Sequence, residues 1–122
     1  MKLQIISKLL IVGTLTITCV AGPRRVTAAN DPRRIEIAAK RFSFAPAEIT
    51  LKKGEPVVLV LHTEDVPHGI KISELNLETE IAKGAPSEVS FTPNVAGDFV
   101  GHCSRFCGSG HGSMTLTLHV TE

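Results

Sequence analysis

"GHCSRFCGSGHGSMTLTLHV", residues 101–120, is two things in succession. Its second half alternates without a break. Met114, Leu116, Leu118 and Val120 fall on one side of an extended chain, while Thr115, Thr117 and His119 fall on the other. A period of two marks a half-buried β-strand, because the apolar side of a helix recurs every three or four residues. The first half has no period at all. It crowds Cys103, Cys107, His111 and Met114 among glycines and serines, which makes it a loop of soft donors leading into that strand.

The same alternation appears upstream. "RIEIAAK" (34–40) sets Ile35, Ile37 and Ala39 against Glu36, Ala38 and Lys40. "VVLVL" (57–61) is apolar without interruption, as expected of a strand covered on both faces. Further strands are expected at Ile49–Leu51, His68–Ile72, Leu77–Ile81, Ser87–Thr92 and Asp98–His102, with turn residues between them. No segment has helical periodicity, although "SELNLETEIAKG" (73–84) has room for a single helical turn. The pattern predicts an all-β chain of seven or eight short strands folded as a β-sandwich.

The amino-terminal residues read differently. Lys2 and Lys8 precede the apolar stretch "LLIVGTLTITCVAG" (9–22), and "VTA" (26–28) ends the segment in small residues. This is the plan of a secretory signal peptide over residues 1–28, cleaved after Ala28. A polar leader, 29–34, and a single domain, 35–122, follow. An uncleaved membrane anchor is the alternative, but the apolar run is shorter than the ~20 residues a span requires. The "TIT" before Cys19 does not suit a lipoprotein signal. Removal of residues 1–28 takes four basic side chains and no acid, leaving nine against twelve and a net charge of −3. Nucleic acid is therefore not an expected partner. The implied location is the periplasm or another exported compartment, where Cys103 and Cys107 are the only cysteines left.

Two thiols in an oxidising compartment suggest a disulfide. Adding His111 and the remote His68 of "DVPHGI" (65–70) completes a set that would suit structural zinc. Met114 points elsewhere, since a thioether joined to thiolate and imidazole favours copper. A mononuclear blue-copper site needs only one cysteine, and here there are two. His62, His102 and His119 read as surface or hydrogen-bonded side chains.

"DVPHGI" followed some thirty residues later by "GHCSRFCGSGHGSM" (101–114) resembles the binuclear copper, or CuA, domain of cytochrome c oxidase subunit II. The resemblance runs from about Ile35 to the carboxyl terminus and implies a cupredoxin Greek-key sandwich. It further implies a cofactor of two copper ions in one centre, bridged by the thiolates of Cys103 and Cys107. His68 would bind one copper and His111 the other, with weak ligation from the thioether of Met114 and the backbone carbonyl of Arg105. Such a domain converts no substrate alone but carries single electrons, or serves as the soluble electron-entry part of an oxidase. Its partners would be redox proteins, among them a c-type cytochrome and a terminal oxidase. The rim around Arg105 and Phe106 is the candidate docking face. The alternative from another class is a copper-handling protein for oxidase assembly or copper tolerance, although delivery sites are commonly open and methionine-rich, and this chain has only Met1 and Met114.

Overall fold

A computed structural model describes Gly22 and residues 31–122. Apart from Gly22, the expected signal segment and the start of the leader lie outside the described residues. The strands are β1 (Arg33–Lys40), β2 (Ser43–Ala45), β3 (Glu48–Lys52), β4 (Val57–Thr63), β5 (His68–Ile72), β6 (Leu77–Ile81), β7 (Ser87–Phe91), β8 (Gly97–His102) and β9 (Thr115–Thr121). Among the described residues nine strands therefore stand where seven or eight were expected. The one passed over is β2, whose three residues end at Pro46 and are too few to display a period. Arg33 and Arg34, read as the end of the leader, begin β1 and pair with Val57 and Val58. Residues 73–75 supply the single helical turn, and a second short turn spans His111–Ser113.

Two sheets face each other. One has the order β2-β1-β4-β7 and the other β3-β9-β8-β5-β6. Pairing is antiparallel except for β1 with β4 and β3 with β9, which run parallel. The inward residues follow from the alternation: Ile37 and Ala39 on β1, Leu59 and Leu61 on β4, Ile49 and Leu51 on β3, Leu116, Leu118 and Val120 on β9. Burial of such side chains is the main stabilising contribution, at roughly 1.5–3 kcal/mol each.

β4 is buried on both faces, as its unbroken apolar run requires. Its outward Val58 and Val60 lie between Arg34 of β1 and Glu88 of β7, which form an ion pair across the strand. The stems of these two residues thereby cover apolar surface that would otherwise meet water.

Strand register places the ends of the donor loop. On β8, Phe99 and Gly101 face inward and His102 outward, so Cys103, next in line, turns toward the core. Gly101 has no side chain because Ile70 and Ile72 of the neighbouring strand occupy that space, within 2.8 Å of where a Cβ would sit. Met114 opens the inward series of β9. The Cys103 N–H donates to the Met114 carbonyl at 3.1 Å and closes the neck of the loop.

Candidate metal centre

Residues 103–114 form a loop at the end of the sandwich, and its sulfur donors are not surface groups. Cys103 and Cys107 are each 5% exposed, and Met114 and His68 are fully buried. All four sit at the end of the apolar core, where a polar group without a partner is costly.

His68 opens β5, and the turn before it is built to hold its ring. The Asp65 N–H donates to the Thr63 hydroxyl at 3.2 Å, and the Val66 N–H donates to Asp65 Oδ1 at 2.6 Å. These contacts aim the Asp65 carboxylate at His68, whose Nε2 lies 2.8 Å from Oδ1. With Nε2–H donating to the carboxylate, Nδ1 is the bare nitrogen, and it is buried with no hydrogen-bond partner among the described residues. Desolvation would raise the Asp65 carboxyl, but the main-chain N–H of Arg41, the His68 ring and the Val66 N–H together hold it well below the usual carboxylate range.

The two sulfurs are free thiols 3.8 Å apart, well beyond the ~2.05 Å of a disulfide. With a ring nitrogen of His68 they form a group whose ligand atoms all lie within 4.8 Å of one another. The remaining candidates approach from the loop itself. His111 Nδ1 and Met114 Sδ are each 4.0 Å from Cys107 Sγ, and the Arg105 carbonyl oxygen is 3.1 Å from Cys103 Sγ. His68 lies on the core side and His111 is half-buried, its ring 5.8 Å from that of Phe106. Burial pushes the Cys107 thiol up, and the adjacent Cys103 sulfur adds to this, while the Arg41 guanidinium pulls it down.

All six candidate residues are thus at one place. His62 and His102 are exposed on the outer faces, and His119 lies on the outer side of β9 with Asp98 at 2.6 Å and Glu48 at 3.7 Å. The Arg105 side chain leaves the loop and pairs with Glu80 at 2.8 Å, and Phe106 beside it is 78% exposed. Residues 9–116 match the cupredoxin-like domain family. The chain belongs to that family.

Within the cupredoxin-like family, it is similar to two cytochrome c oxidase subunit 2 sequences of Thermus thermophilus. Each is 28% identical over 104 residues, 84% of this chain. The aligned part spans 77% of the first relative and 62% of the second. The fold is also that of the periplasmic domain of subunit II of cytochrome oxidase from Bradyrhizobium japonicum, with a TM-score of 0.68 at 17% identity, covering 74% of this chain and 84% of that one. No helix among the described residues is long and apolar enough to cross a membrane.

Three residues of this cupredoxin-like site escaped the sequence reading. Asp65 stands inside "DVPHGI", and the signal for it was a carboxylate three residues before a candidate ligand. Arg41 donates its main-chain N–H to Asp65 Oδ2 and its Nε–H to the Cys107 carbonyl, both at 2.8 Å. Phe42 lays its ring over the loop, where a Cβ on Gly110 would come within 2.4 Å of it and one on Gly108 within 2.9 Å. Neither Arg41 nor Phe42 carries a motif. Gly69 has a similar role on the other side, since a Cβ there would meet Ser104 Oγ at 2.3 Å.

Proposed function

We propose that this chain is an exported electron carrier whose loop and His68 hold two copper ions in one CuA-type centre. The observation that carries the reading is the buried, unpartnered Nδ1 of His68 beside two free thiols. A bare imidazole nitrogen in an apolar surround forfeits roughly 1–3 kcal/mol unless something accepts its lone pair, and a soft metal does so. Zinc would use both thiolates and both imidazoles but would leave Met114 Sδ, 4.0 Å from Cys107 Sγ, without a purpose.

Cys103 and Cys107 would serve as bridging thiolates, His68 and His111 as one nitrogen ligand each, and Met114 and the Arg105 carbonyl as weak ligands. When bound, the copper pair supplies a one-electron redox couple. The chain's own residues keep the site rigid and dry: Asp65 fixes the tautomer of His68, and the core strands hold both ends of the loop. That burial favours a carrier over a copper-delivery protein, whose site must open to release its cargo. The similarity to cytochrome c oxidase subunit 2 supports redox partners such as a c-type cytochrome and a terminal oxidase, and a periplasmic location.

The test is copper loading followed by metal analysis and electron paramagnetic resonance. Two coppers sharing one unpaired electron are expected, and Cys107→Ser should abolish the coupling. A single copper, a preference for zinc, or an unaltered coupled signal in Cys107→Ser would refute the proposal.

A further inference from the structure

The two ligand-bearing segments are joined by more than the metal they would share. A line of hydrogen bonds runs from the ring of His68 to the Asp65 carboxylate, from Asp65 to the main chain of Arg41, and from the Arg41 side chain to the Cys107 carbonyl. Every link is 2.8 Å long, and none of the bonded atoms is one of the proposed ligand atoms. Arg41 takes the carbonyl of Cys107 and leaves its sulfur free. Its bond therefore does not compete with a metal for that sulfur.

The loop needs such a restraint. Its main-chain bonds beyond the neck are three, at 3.1–3.3 Å: His111 N–H to the Gly108 carbonyl at 3.2 Å, Ser113 N–H to Gly110 at 3.1 Å, and Met114 N–H to His111 at 3.3 Å, with the Ser113 hydroxyl also donating to the Gly110 carbonyl at 2.8 Å; none of these holds the Cys107 carbonyl. We infer that Arg41 is a positioning residue, whose guanidinium holds the Cys107 turn in its ligand-presenting geometry before any metal arrives. The effect is preorganisation: the loop is ordered on folding, so metal binding does not have to order it. A planar guanidinium with a fixed Nε–H can do this, whereas the ammonium of lysine carries the charge without the fixed direction.

The inference rests on the metal-site reading, and its primary test needs no metal. Amide exchange would be followed by NMR on the reduced, metal-free chain, comparing the parent with Arg41→Met and Arg41→Lys. In both variants the amides of His111, Ser113 and Met114 should lose protection about tenfold, the scale of one hydrogen bond. Amides of β4 and β9 should keep theirs. Copper titration of the same proteins should then give an affinity about tenfold weaker in both variants with the stoichiometry of the parent. Unchanged loop protection in Arg41→Met would overturn the inference. So would full rescue by Arg41→Lys, which would make charge alone responsible, or a uniform loss across the sheets, which would make Arg41 a general stabiliser. A parent that takes up no copper would sink the proposed function while the exchange data still decided the role of Arg41.

Discussion

Replacing Gly110 by alanine tests how the loop is seated. The backbone at Gly110 has φ −91° and ψ 7°, which alanine adopts readily, so any cost comes from space alone. An added Cβ would lie 2.4 Å from Cγ and one Cδ of the Phe42 ring, and 2.9 Å from the other Cδ. These atoms sit at the root of a rigid ring and cannot swing aside as a lysine tip would. Overpacking of this kind costs about 1–3 kcal/mol, and for a domain of this size each kcal/mol lowers the melting temperature by roughly 4–8 °C. Gly110→Ala should therefore melt about 8–16 °C below the parent at a mid-range cost of ~2 kcal/mol. Gly112, two residues along, has nothing within 4 Å of its Cβ position, and Gly112→Ala should stay within ~0.5 kcal/mol of the parent. Thermal and urea unfolding of the metal-free chain would measure both. In a Phe42→Ala background the Gly110→Ala penalty should largely vanish, giving a coupling of about 1–2 kcal/mol. A Gly110→Ala variant as stable as the parent, or one equally penalised with and without the Phe42 ring, would refute the seating of the loop on Phe42.

Three other outcomes follow from the geometry. Met114→Leu conserves volume at a fully buried position and should cost under ~1.5 kcal/mol, while voltammetry of the copper-loaded form should show a shifted reduction potential; an unmoved potential would leave Met114 as core only. His119 is raised above the ordinary 6.5 by its hydrogen bond to Asp98, against a lowering by desolvation, with a further upward pull from Glu48. A raised folded-state value means that this contribution is complete below pH 6.5 and fades as pH rises through the shifted value, so His119→Gln should remove that part of the decline in urea titrations, and identical pH profiles would count against it. Arg105→Ala should leave copper content unchanged and slow electron transfer to an acidic partner at low salt, with the difference shrinking as salt is added; because Glu80 already pairs with Arg105, Glu80→Gln should have the opposite effect in the same stopped-flow assay.

The strands were legible because their cause is local. Alternation in 114–120 and 34–40 and the unbroken run 57–61 each state which faces are covered, and the side-chain period holds whatever the partner strand is. The donor loop was legible too, as chemistry concentrated in one stretch. β2 was not, since three residues before a proline carry no period.

What the sequence by itself determined is therefore the two-sided strands, the loop of soft donors, and the inward turn of Met114 that the alternation of β9 dictates. His68 was already named as the remote partner from "DVPHGI"; tertiary structure decided how it reaches that loop and what holds it there. The pairing of β5 with β8 brings His68 to the sulfurs, and the turn after β1 sends Arg41 to a carbonyl 66 positions away. A carbonyl has no side-chain identity and an arginine in "AKRFSF" looks like any surface cation, so neither end of that bond has a signature in the sequence. Only the packing of two sheets, which places the end of β1 against the donor loop, turns an anonymous basic residue into part of the site.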